Sequence, residues 1–128
     1  MVKNNSTIKT IGVLTSGGDC AGLNAVIRAV THRAIEGYGW RVLGIHDGMQ
    51  GLMDSPPRCE ELTLKLFTGN ILRMGGTILG TTNKGDPFDF PMPDGSRKNR
   101  SKEFAAGFKE LELEGLIGIG GDGSLDIL

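Results

Sequence analysis

Apolar positions along this chain gather into short dense runs that end at glycines, and helical periodicity fills the stretches between them. Residues 9–16 (KTIGVLTS) read as a short buried strand that stops at Gly17. Leu23, Val26, Ile27, Val30 and Ala34 then recur at helical spacing until Gly37 and Gly39 end the pattern. A second run, residues 40–46 (WRVLGIH), reads as a strand, so the first forty-odd residues form a βαβ unit with parallel strands. Residues 47–57 read as loop, and residues 62–74 as a strand edge or a short helix. Residues 77–82 (TILGTT) have the β-branched content of a strand. Residues 83–99, with Pro87, Pro91, Pro93 and Gly95, read as a turn-rich exposed excursion. Ser101 is placed to cap a helix whose buried face is Phe104, Phe108 and Leu111, with Glu103 favourable in its first turn. The run at 116–119 (LIGI) reads as a last buried strand. The predicted class is therefore α/β, an open, mostly parallel sheet with helices on both faces.

Composition narrows the picture. Glycine supplies 21 of 128 residues, more than twice the usual ~7%, and it clusters as pairs at 17–18, 75–76 and 120–121 beside apolar runs. That is the pattern of tight strand-to-loop turns. A net charge of −1 argues against a nucleic-acid surface. The basic cluster Arg97, Lys98, Arg100 and Lys102 reads as a solvated loop running into a helix. No apolar stretch approaches a membrane span, and the first ten residues have no secretory apolar core. Cys20 and Cys59 lack metal-ligand spacing, which leaves two free thiols and a cytoplasmic setting as the simplest reading.

Two loops share one grammar: an apolar strand followed by GGD. One is residues 17–19 before the first helix, the other residues 120–122 in GGDGS. Strand carboxyl ends of an open parallel sheet lie along one edge, so both loops can face a single crevice. Glycines there admit positive φ and a close approach of anionic oxygens to backbone N–H groups, and the first helix's N-terminus adds to the same field. Asp19 reads either as a helix cap or as a functional carboxylate. Asp122, set between glycines, suits a magnesium ion that neutralises phosphate oxygens. Neither loop continues as GK[ST], and GxGxxG is missing, so a P-loop and an ordinary dinucleotide fingerprint are both disfavoured.

Four blocks, TSGGDCAGLNAVIR (15–28), GIHDGMQGL (44–52), MGGTILGTT (74–82) and IGGDGS (119–124), occur in the order found in the 6-phosphofructokinases. The chain resembles that family from about residue 9 to its last residue, and within it the ATP-dependent or mixed-substrate branch. The resemblance implies transfer of the γ-phosphoryl of ATP to fructose 6-phosphate with Mg2+ as cofactor. Carried over by position, Gly18 approaches the nucleotide phosphates with its backbone, Asn83 and Lys84 stand where an Arg–Phe pair is common, and Gly121, Asp122, Gly123 and Ser124 wrap the phosphates. Asp122 is the implied metal ligand. Gly123 is the implied donor-specificity position, where glycine goes with ATP and aspartate with pyrophosphate. Met49 replaces a tyrosine common near the adenosine. Arg28 matches an effector-site arginine, and His32 departs from the next one. The alternatives are a pyrophosphate-dependent enzyme, an inactive fragment, and a lipid or NAD kinase-like GGDG protein; those kinases lack the GGDCAGLNAVIR block. The family's catalytic aspartate belongs to a TxD block about 20 residues beyond GGDGS. The resemblance therefore implies that no catalytic residue lies in this chain and that the base lies beyond Leu128. Residues 9–128 are thus expected to be the N-terminal, nucleotide-binding part of a longer domain, with residues 1–8 a flexible extension. The 128-residue chain alone is expected to be inactive and poorly soluble. A homo-oligomer, dimer or tetramer, is expected at full length, with neither nucleic acid nor membrane as partner.

Overall fold

The computed structural model describes residues 8–17, 22–67, 76–81, 87–88 and 90–121. Strand β1 (Thr10–Thr15) leads to helix α1 (Leu23–His32), which continues into a π-helical stretch at Arg33–Gly37, and strand β2 (Arg41–Ile45) follows. Next come a four-residue helix α2 (Gln50–Met53), strand β3 (Cys59–Leu62), a 3-10 turn (Leu64–Leu66) and a small hairpin of β4 (Phe90–Pro91) and β5 (Arg97–Lys98). Helix α3 (Ser101–Glu110) and strand β6 (Gly115–Ile119) complete the order. The main sheet runs β3-β2-β1-β6, with β2, β1 and β6 parallel and β3 antiparallel at one edge.

Alternation along the strands divides the core between two faces. Ile11, Val13 and Val42 point to one side, where Ile27 and Ala34 from α1 and its extension meet Leu62, Phe67 and Leu79. Leu14, Leu43 and Ile45 point to the other, where Met49, Leu52 and Met53 pack with Phe90 and Leu113 and where Phe104 and Phe108 of α3 close over them. Helices therefore cover both faces, as the periodicity predicts.

Four expectations need correction, and one strand was not anticipated. The stretch 47–57 is not all loop: it holds α2, three of whose four residues are buried. Four residues are too few to nucleate a helix on propensity alone; this one is stabilised by α3, whose Gly107 lies so close that an added Cβ would stand 1.9 Å from the Leu52 carbonyl oxygen. Strand β3 (CEEL), with two glutamates at its centre, gives no apolar signal, yet its Cys59–Ile45 to Leu62–Val42 register pairs it fully with β2. Residues 77–81, read as strand, form a turn instead. Ser101 is not the cap of α3: the N-cap position is Arg100, without a side-chain cap, and it is Asn99 whose Oδ1 accepts from the Ser101 N–H at 3.0 Å. Finally, β6 is not buried. It pairs with β1 alone among the described residues, and Ile117 is 37% exposed. On α1, Val26 is likewise exposed, while the next residue, Ile27, is buried.

Candidate functional site

The parallel register sets Thr15 opposite Ile119, and the Ser16 N–H donates to the Ile119 carbonyl at 2.9 Å. The two glycine loops therefore leave from neighbouring strand ends. Gly17 has φ 91°, a left-handed conformation that a side chain would strain. Gly121 is exposed, and a Cβ built on it would meet nothing within 4 Å among the described residues. Of the predicted site residues, Gly121 is the one placed here; Gly18, Asn83, Lys84, Asp122, Gly123 and Ser124 lie outside the described residues. Asp19 and Cys20 lie outside them too, as does Leu128, the residue beyond which the resemblance puts the catalytic base.

Segment 77–81 lies across the same edge of the sheet, fastened by uncharged groups. The Ile78 N–H donates to Oδ1 of Asn24, in the first turn of α1, at 2.7 Å. The Thr15 hydroxyl is within hydrogen-bond distance of both the Gly80 carbonyl, at 2.9 Å, and the Thr77 hydroxyl, at 3.1 Å. The Leu79 N–H reaches Thr77 Oγ1 at 3.2 Å, and the Asp47 N–H at the end of β2 donates to the Leu79 carbonyl at 2.9 Å. Thr81 closes the set by donating its hydroxyl to the Gly17 carbonyl at 2.7 Å. A hydroxyl has one proton and two acceptor sites, and a carbonyl only accepts. Thr15 therefore gives its proton to Gly80, and Thr77 gives its own to Thr15, so the chain of bonds has a single sense.

These threonines and Asn24 escape sequence reasoning because each sits inside an apolar pattern. Thr15 is 0% exposed and Asn24 is 1%. The available signal was their position: a hydroxyl on the last residue of a buried strand, and a carboxamide on the apolar stripe of a helix between Leu23 and Ile27. Such groups are tolerated in a core only with partners.

Charge enters the edge through β2. Asp47 adopts φ 55°, and the turn it opens is braced by Arg58, whose guanidinium reaches Asp47 and Asp54, each at 2.7 Å. The Asp47 carboxylate first, and Asp54 next, hold the Arg58 guanidinium above its ordinary pKa. The three side chains are a third to a half exposed, so the pairs shape the turn more than they stabilise it. Met49, where the resemblance implies a place near the adenosine, is 1% exposed and belongs to the core. His32 stands 3.6 Å from Glu36 on α1 and its extension. Cys59 is a free thiol, and burial pushes its pKa up. In the basic cluster Arg97, Lys98 and Lys102 are exposed, and Lys98 and the partly buried Arg100 both pair with Glu103. No group of three or more His, Cys, Asp or Glu able to hold a metal occurs among the described residues. No helix among them is long and apolar enough to cross a membrane.

The family model for phosphofructokinase matches residues 10–128. The chain belongs to the phosphofructokinase family. It is 59% identical over 124 residues to ATP-dependent 6-phosphofructokinase 1 of Synechocystis sp., an alignment covering 94% of this chain and 33% of that protein. Identity is also 59% over 123 residues to ATP-dependent 6-phosphofructokinase 1 of Nostoc sp., covering 96% and 34% respectively. Among solved structures, Pichia pastoris phosphofructokinase in the T-state superposes with a TM-score of 0.76 at 33% identity, over 94% of this chain and 12% of that one. The chain thus spans about one third of the length of these cyanobacterial phosphofructokinases.

Proposed function

We propose that this chain is the N-terminal, donor-binding portion of an ATP-dependent 6-phosphofructokinase. The observation that carries the reading is the β1–β6 register, which opens both GGD loops from adjacent strand ends in a chain 59% identical to proteins named for that activity. The reaction moves the γ-phosphoryl of ATP to the 1-hydroxyl of fructose 6-phosphate in glycolysis. Its transition state is loose and highly charged, so positioning and charge neutralisation outweigh covalent help. In this reading the backbone of Gly18 and the Gly121–Ser124 turn meet the phosphates, and Lys84 adds a point charge next to Asn83. Asp122 holds Mg2+, which supplies neutralising charge when bound. Gly123 leaves room for the α-phosphate that pyrophosphate lacks. The catalytic base and most of the fructose 6-phosphate site belong to the part of the relatives' length that these 128 residues do not span. A cytoplasmic homo-oligomer is the setting that fits a glycolytic kinase.

The test is a coupled assay for fructose 1,6-bisphosphate with the full-length protein, offered ATP or pyrophosphate. Product with ATP and not with pyrophosphate is expected, and preference for pyrophosphate would overturn the donor assignment. Asp122→Asn should lower kcat by 10²-fold or more, on the order of removing one preorganised electrostatic contact. Residues 1–128 alone should give no product, and turnover by that fragment would sink the division of labour.

A further inference from the structure

Three polar side chains are buried in the described core, and they differ in what they hold. The Thr31 hydroxyl donates to the Ile27 carbonyl 2.8 Å away, one turn back in its own helix, which satisfies the group and links nothing else. Thr15 and Asn24 instead reach 54 to 65 residues along the chain, to segment 77–81. Their partners converge on the strand edge that carries the glycine loops, and the last bond runs from Thr81 to the Gly17 carbonyl.

We propose that Thr15, Asn24 and Thr81 are positioning residues for the nucleotide donor: they fix segment 77–81 on the strand ends and, through it, the peptide group of Gly17. A peptide group is planar, so a hydrogen bond at its carbonyl oxygen restrains the orientation of the whole unit. Glycine has the most backbone freedom to lose on ordering. Preorganising Gly17 therefore removes an entropic cost that nucleotide binding would otherwise meet. The clamp is uncharged, so it performs this task without adding repulsion next to a polyphosphate. Asp47 completes it from the turn after β2 with a backbone N–H rather than its carboxylate. This inference rests on the donor-site reading above.

The experiment uses the full-length protein with Thr81→Val and Thr15→Val, each near-isosteric, and the matching serine variants, which restore the hydroxyl. Thr81→Val should raise the KM for ATP and the calorimetric Kd for Mg-ADP about tenfold, the equivalent of one net hydrogen bond. The KM for fructose 6-phosphate should stay within about twofold, and Thr81→Ser should recover most of the loss. Thr15→Val should speed amide exchange across residues 77–81, and Thr15→Ser should slow it again. An unchanged nucleotide Kd in Thr81→Val, an equal rise in both KM values, or no rescue by serine would overturn the proposal. If the wild-type protein binds nucleotide without phosphorylating fructose 6-phosphate, the proposed function fails, and the calorimetric series decides the clamp by itself. A wild-type protein that binds no nucleotide overturns both.

Discussion

Segment 77–81 and the excursion at 90–100 are both short on regular structure, and they are held by opposite means. The first is fixed by neutral hydrogen bonds to a buried hydroxyl and a buried carboxamide. The second is a hairpin anchored by buried Phe90, and its outer side is held by charge. Lys98 and Arg100 pair with Glu103, and Arg100 also donates to the Met53 carbonyl at 3.0 Å while its guanidinium lies 4.8 Å from the Phe90 ring centroid. Its turn is closed by Asp94, which accepts from the Ser96 N–H at 2.9 Å and from the Ser96 hydroxyl. Neutral buried bonds keep their strength in salt and across pH, whereas exposed ion pairs lose theirs. The rigid means is found at the strand ends, where the nucleotide is proposed to bind. The soft means is found on the outer surface.

The largest expected effect tests whether packing or charge seats α3, the helix that the excursion leads into. Gly107→Val should destabilise the fold by about 3 kcal/mol through forced overpacking, because α3 would have to lift off the Leu52 carbonyl. Urea unfolding measures it; a loss no larger than that of the ion-pair variants would mean that charge, not packing, seats α3. Thr15→Val should follow at about 2 kcal/mol, for it strips the Gly80 carbonyl of its buried donor. That loss should be the same in low and high salt. Gly80→Ala comes next at about 1 kcal/mol, since Gly80 has φ 74° and an added Cβ would stand 2.5 Å from Asp47 Oδ1, a side chain able to move.

Glu103→Gln is the smallest, at about 0.5 kcal/mol or less, and should vanish in high salt. Its pH dependence has a definite sign. Hydrogen bonding to Lys98, and then to Arg100, holds the Glu103 pKa below its ordinary value. A lowered folded pKa gives stability that is present above the unfolded pKa and is lost as pH falls through the ordinary carboxylate range and below it. Acid titration of stability should therefore be shallower in Glu103→Gln and unchanged in Thr15→Val. A matching change in both would erase the distinction between the two segments.

The same contrast explains what could be read from the sequence. Strands β1, β2 and β6 and helices α1 and α3 announce themselves through apolar runs or helical spacing, and the GGD repeat locates the loops. Three features do not. Helix α2 depends on the Gly107 approach from α3, a contact distant along the chain that no local pattern encodes. The CEEL strand depends on pairing with β2 rather than on its own propensity. Segment 77–81 has strand-like composition, yet its amides are claimed by Asn24 and Thr77, and the positive φ of Gly80 ends any extended run. Of the candidate site, the loops were legible because glycine has a distinctive chemistry. The clamp was not, because a threonine that ends a strand resembles any β-branched residue.

The one-way order of bonds from the Leu79 N–H through Thr77 and Thr15 to the Gly80 carbonyl has a spectroscopic consequence. Both ends are backbone groups of fixed type, so the two hydroxyl protons cannot reverse their order while the chain of bonds stays closed. With Thr15 fully shielded from solvent, its hydroxyl proton should trade slowly with bulk water. It should appear as a separate, persistent resonance, and a nucleotide bound nearby should shift it without erasing it.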